Sequence, residues 1–118
     1  MFKGLLLKES LHDERFLDEV RVSKIEIWDV ENAADFQPEQ WTAISFEGDT
    51  EQADLTAEKL SQAIKPAWYA NFSSETHAYV VFAGRFFKYV KGDQQARAEA
   101  QRYALSVGVP EHQIDWGE

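Results

Sequence analysis

The first half of the chain alternates apolar and polar residues in the way that is typical of half-buried β-strands. Residues 23–30 read SKIEIWDV and residues 41–46 read WTAISF, so each predicts a strand. The apolar stretch at residues 3–7 predicts another strand at the amino end. Between these strands, residues 12–20 predict a charged loop or a short helix, and residues 31–40 predict a loop.

After residue 48 the period at which apolar residues recur changes from two to about 3.6 residues, which predicts an amphipathic helix. One apolar stripe of this helix consists of Ala53, Ala57, Leu60 and Ile64. Asp49 with Gln52 three residues later offers a capping box at its start, and Pro66 ends it.

The second half of the chain begins with three more predicted strands. Residues 68–72 form the first, and residues 78–82 and 85–90 form a hairpin that turns at Ala83 and Gly84.

A second helix follows, with Asp93 as its predicted cap and Gly108 and Pro110 at its end. Its apolar stripe consists of Ala96, Ala100, Tyr103, Ala104 and Val107. Residues 112–116 predict a last short strand.

Grouped strands with two helices predict a single α+β domain over residues 1–118, with a mainly antiparallel sheet and both helices packed on one face. From Trp41 onward, the order of elements also fits a ferredoxin-like core to which an amino-terminal hairpin is added. The predicted core face of the sheet carries Ile25, Ile27, Ile44, Phe46 and Phe72.

Four runs of the chain resemble those of small uncharacterised prokaryotic proteins. They lie at residues 3–10, 38–42, 65–72 and 108–116. The resemblance would cover nearly the whole chain, and it implies a single cytosolic domain. It implies no activity, cofactor or catalytic residue.

The residue types exclude several kinds of site. The sequence contains no cysteine, which rules out disulfides, zinc–thiolate sites and cysteine nucleophiles. Its six glycines form neither a dinucleotide-binding fingerprint nor a P-loop, and its three histidines lack ligand spacing. We therefore expect no cofactor, no metal and no catalytic residue. No apolar run reaches the length of a membrane span or a secretory signal, so we expect a cytoplasmic protein without membrane contact.

Charge is distributed unevenly along the chain, which has a net charge of −9. Residues 1–58 contain five Lys or Arg and 15 Asp or Glu, a net charge of −10. The negative electrostatic potential of such a segment favours solubility and basic partners, and it repels the phosphates of nucleic acids.

Aromatic residues give the stronger functional signal, since Trp, Tyr and Phe together number 16. By alternation, Trp28 and Trp41 lie on the sheet face opposite the predicted core face. The amino-terminal strand and residues 31–40 could cover that face. It could instead bind a protein, either a partner or a second copy, or stack nucleobases.

A pocket around Trp68, Tyr69 and His77 is the alternative site. It would serve a small ligand or an enzyme, because Glu75 lies two residues from His77. The preferred expectation is a small, soluble, non-enzymatic protein that acts by protein–protein interaction through Trp28 and Trp41 and its acidic amino-terminal half.

The charge of residues 1–58 predicts that nucleic acid is not a physiological ligand. Even basic proteins bind nucleic acid non-specifically at only about 10⁻⁴ to 10⁻⁶ M at physiological salt. Fluorescence anisotropy with labelled single-stranded DNA and RNA at about 0.15 M salt should show no submicromolar binding. Submicromolar affinity would contradict this prediction.

Overall fold

The computed structural model describes residues 1–116, which form an α+β domain. Within this range there are six strands: β1 (Phe2–Leu7), β2 (Arg21–Asp29), β3 (Gln40–Gly48), β4 (Ala70–Ser73), β5 (His77–Phe82) and β6 (Arg85–Val90). The two α-helices are α1 (Ala53–Ala63) and α2 (Gln94–Ser106). Short 3-10 turns lie at Lys8–Ser10, Glu14–Glu19, Thr50–Gln52 and Glu111–Gln113. In residues 1–116, no helix is long and apolar enough to cross a bilayer.

All six strands belong to one sheet in the order β2-β3-β1-β4-β5-β6, with every neighbouring pair antiparallel. The amino-terminal strand β1 lies inside the sheet, where Lys3 is paired with Glu47 on one side and Ser73 on the other. Strands β2 and β6 are the two edges.

At Gly4 the backbones of β1 and β4 approach each other closely. A Cβ atom on Gly4 would lie 2.2 Å from the Cβ of Phe72 and 2.5 Å from the backbone oxygen of Asn71. Glycine is required here because any side chain would push the two strands apart.

The first helix packs on the sheet as its apolar stripe predicts. The helical residues Ala53, Ala57 and Leu60 are buried against a layer of large side chains from the sheet. That layer includes Phe2, Leu6, Ile44, Phe46, Phe72, Tyr79 and Val81. The rings of Phe2, Phe46 and Phe72 contact one another within it.

The second helix lies on the opposite face, so the prediction that both helices share one face is wrong. The residues Ala100 and Ala104 of α2 pack with Val80 and Phe82. Because side chains alternate along a strand, these residues of β5 point away from Val81, which faces α1. Residues 78–82 are an unbroken buried run, as expected for a strand that is covered on both faces.

The expected ferredoxin-like core with an added amino-terminal hairpin also differs from the observed topology. Strands β3 and β4 run parallel to each other and are joined through α1, with a third strand between them. A ferredoxin-like unit would place β5 in that position, but β1 fills it. The amino-terminal hairpin does not form, because β2 pairs with β3 and not with β1.

Three local predictions also require correction. Residues 112–116 do not form a strand; a 3-10 turn covers the first two of them. Asp49 does not cap α1, whereas Asp93 caps α2 by accepting a hydrogen bond from the Ala96 amide at 3.1 Å. Finally, Ile25 and Ile27 are 61% and 62% exposed, because β2 is an edge strand that α1 does not cover.

The packing of α1 predicts that Leu60→Ala lowers the free energy of unfolding by about 2–5 kcal/mol, as large-to-small changes in a core do. The side chain of Leu60 is fully buried, whereas Leu55 in the same helix is 46% exposed. Leu55→Ala is therefore the matched control and should change stability by less than about 0.5 kcal/mol. Urea unfolding measures both, and equal losses would contradict the assigned face.

Candidate functional site

A cleft of about 470 Å³ opens on the sheet face opposite α1. All four tryptophans of the chain line it, together with Tyr69: Trp28, Trp41, Trp68 and Trp116. Its polar lining includes Asn71, His112, Gln113 and Asp115. We call this feature the tryptophan cleft.

The hairpin of β2 and β3 supplies one wall of the tryptophan cleft. Trp28 and Trp41 are directly paired across the two strands, on the face that alternation predicts. Trp28 is 38% exposed, whereas Trp41 is half-buried and donates a hydrogen bond from Nε1 to the Pro38 oxygen at 2.8 Å. Residues 31–40 thus cover part of Trp41, while β1 lies within the sheet and does not cover this face.

The loop after α1 brings Trp68 and Tyr69 to the same cleft. Ala67 has a φ of 69°, a left-handed conformation that costs an L-residue roughly 1–2 kcal/mol. After this turn, the buried ring of Trp68 contacts Trp41 and Phe36, with ring centroids 5.8 and 6.1 Å apart.

His77, the third residue of the alternative pocket, does not line the tryptophan cleft. Tyr69 lies just before β4, whereas His77 lies past the other end of that strand. There the Nδ1 atom of His77 is 2.8 Å from the Thr76 hydroxyl. Within residues 1–116, no three His, Asp or Glu side chains come together to hold a metal ion.

Residues 109–116, which we call the strap, form the opposite wall. The hydroxyl of Tyr69 donates to the Gln113 oxygen at 2.5 Å and approaches Oδ1 of Asp115 at 3.2 Å. Near its end, the strap is held by Arg97, which donates to the Trp116 oxygen at 2.5 Å. The buried Trp116 indole donates to the Tyr89 hydroxyl at 2.9 Å.

Hydrogen bonds also join the strap to residues 31–40. The side-chain amides of Gln37 and Gln113 bond reciprocally at 2.9 and 2.7 Å. The ring Nε2 of His112 is 2.9 Å from the Asn32 oxygen. The two walls of the tryptophan cleft are therefore connected at this end.

Acidic side chains dominate the two segments that border the tryptophan cleft. Residues 31–40 carry Glu31, Asp35 and Glu39, and the strap carries Glu111 and Asp115. Neither segment contains Lys or Arg. Asp115 lines the cleft itself, and the other four lie on the bordering segments; we call these five carboxylates the acidic rim.

The sequence-based prediction did not identify the residues of the strap as part of the site. Trp116 follows a polar stretch without clear periodicity, and the predicted strand gave it no partner. The sequence did contain one indication of a buried position, which was a tryptophan directly after Asp115. A single tryptophan in a polar segment usually packs against the rest of the protein, because its side chain has a large apolar area.

Comparisons of the chain with protein-family models, curated proteins and solved structures found no match.

The contact between Tyr69 and the strap predicts a loss of stability in alkali. Burial, and then the Asp115 carboxylate, raises the pKa of the Tyr69 phenol well above its ordinary value of 10.0. The unfolded chain releases this proton near pH 10 while the folded chain retains it. Stability should therefore fall as the pH rises above about 10.

Tyr69→Phe tests this linkage. At pH 7 the variant should be about 0.5–1.5 kcal/mol less stable, because one hydrogen bond is lost. The difference from the wild type should shrink between pH 9 and pH 11, roughly the range over which tyrosine titrates. Urea unfolding across this range measures it, and curves that stay parallel would contradict the prediction.

Proposed function

We propose that the protein is a non-enzymatic interaction module that takes a basic side chain of a partner protein into the tryptophan cleft. The observation that carries this proposal is the exposed indole surface of the cleft beside two segments that contain the acidic rim and no Lys or Arg.

Indole rings attract cations through their electron-rich faces. The attraction is worth about 0.5–1 kcal/mol at exposed sites and about 2 kcal/mol where water is excluded. Trp28 and Trp41 offer ring surface at the cleft wall, and Asp115 places a carboxylate in its lining. A guanidinium or ammonium group on an apolar stem matches both features.

Long-range charge supports the same class of partner. The net charge of −9 for the whole chain, concentrated in residues 1–58, raises the rate at which a basic protein meets this surface. Binding should therefore weaken as salt increases.

The volume of the tryptophan cleft favours a second candidate, a small organic cation. Clefts that bind small ligands measure about 300–1,000 Å³, and this cleft falls within that range. The pocket predicted around Trp68 and Tyr69 would then hold the ligand without His77.

Calorimetry and NMR can separate the two candidates. An arginine-containing peptide is compared with the same peptide carrying neutral citrulline, and choline is compared with its uncharged isostere 3,3-dimethylbutanol. We expect the arginine peptide to bind and to shift the indole N–H signals of Trp28 and Trp41. Choline binding without peptide binding would favour the small-ligand function, and equal binding of arginine and citrulline peptides would reject a cation site.

Trp28→Ala should weaken binding of the arginine peptide by about 2- to 30-fold, which corresponds to the loss of one cation–indole contact. The fold should survive, because Trp28 lies on an edge strand and is 38% exposed. Leu105→Ala is the matched control, since Leu105 is exposed on α2 and does not line the tryptophan cleft. Unchanged affinity of Trp28→Ala would contradict the proposed site.

A further inference from the structure

The edge strand β2 is exposed along its whole length. Ile25 and Ile27 leave most of their side chains in water on the α1 face, and Val22 is exposed beside them. Long edge strands that expose apolar side chains are a liability that folded proteins usually cover or pair. Trp28 of this strand lines the tryptophan cleft, whereas Ile25 and Ile27 lie on the opposite face of the sheet, outside the cleft.

The free backbone groups of β2 can be identified from its pairing with β3. The Val30 amide donates to the Glu39 oxygen at 2.7 Å, and the register is unbroken from Lys24 to Asp29. Along a β-strand, the backbone N–H and C=O groups of successive residues point to opposite sides. Since those of Val30 point to β3, those of Ile25 and Ile27 point to the open edge.

The β3 side agrees with this assignment. Thr42 is the partner of Ile27, and its amide points away from β2, where it donates a hydrogen bond to Oε1 of Glu9 with a nitrogen–oxygen distance of 2.6 Å. Strand β2 thus presents unpaired donors and acceptors outward at every second residue.

We propose that β2 pairs antiparallel with β2 of a second copy, which forms a two-fold homodimer with one continuous sheet. Strand addition of this kind uses main-chain hydrogen bonds for affinity and side-chain pairs for specificity. The dimer replaces the expectation of self-association through Trp28 and Trp41 with a contact along the edge of the sheet.

Charge selects the register of this pairing. With the two-fold axis at Ile25, Lys24 lies opposite Glu26 of the second copy, and symmetry repeats the pair. Ile25 then lies opposite Ile25 of the second copy, and their outward N–H and C=O groups form the hydrogen bonds of this pair. Opposite charges at directly paired positions stabilise a sheet.

The neighbouring registers are less complementary. An axis at Glu26 would bring two carboxylates face to face, and an axis at Ile27 would bring Ile25 opposite Asp29 of the second copy. Within one chain, Lys24 Nζ already lies 3.0 Å from Glu26 Oε1. The register at Ile25 therefore joins two such pairs into a ring of four alternating charges.

A charge swap tests both the dimer and its register. Sedimentation of the wild type over about 1 µM to 1 mM, a range chosen to span weak to moderate affinities, should show a monomer–dimer equilibrium. Glu26→Lys should raise the dimer dissociation constant by about tenfold or more, because like charges then face each other twice. The double variant K24E/E26K should restore the wild-type constant.

Two further variants keep the test decisive. Ile25→Pro removes an outward N–H that β3 does not use, so the chain should fold and stay monomeric. Glu99→Lys, at an exposed position on α2, makes the same charge change away from β2 and should leave the dimer intact. A wild type that is monomeric at all concentrations would overturn the dimer, and a dimer insensitive to Glu26→Lys or not rescued by the swap would overturn the register.

Failure of this proposal is distinguishable from failure of the cation site. Peptide titration reads out the tryptophan cleft, whereas sedimentation without peptide reads out β2.

Discussion

The insertion of β1 between β3 and β4 is the constraint on which the rest of the structure depends. It requires the close approach at Gly4, where a side chain would overlap the Cβ of Phe72. Once in place, β1 contributes to both faces. Phe2 and Leu6 complete the layer under α1, while Leu5 and Leu7 line the tryptophan cleft on the other side. The core and the candidate site thus share one strand as their common wall.

Local periodicity was sufficient to predict most elements of this fold, but not their arrangement. The stripes of α1 and α2 and the hairpin of β5 and β6 lie close to their predicted positions. The faces that the helices cover depend on strand order, which local sequence does not encode. One signal was present in residues 78–82, whose apolar run is typical of a strand covered on both sides. Likewise, Ile25 and Ile27 have a core-like pattern, yet they lie at an edge.

The candidate site was partly predictable for the same reason. Alternation identifies the shared face of Trp28 and Trp41, because it depends only on neighbouring residues. The approach of Trp68 and Trp116 depends instead on segments without regular structure. Their paths follow from the left-handed turn at Ala67 and from the hydrogen bonds of the strap. Such contacts join positions that are far apart in the sequence, so no local pattern of apolar and polar residues predicts them.

The central position of β1 has a consequence for how the chain reaches this structure. Gly4 and Phe72 are paired across 68 positions of sequence, so β1 cannot gain its second neighbour until β4 has been synthesised. Pairings of such long range slow folding, because the loop must close before the contact stabilises it. Until then, the leucines at positions 5–7 and one side of their backbone remain open to other chains. A strand that is paired on both sides in the native protein is thus left with one open edge while the rest of the chain is being synthesised.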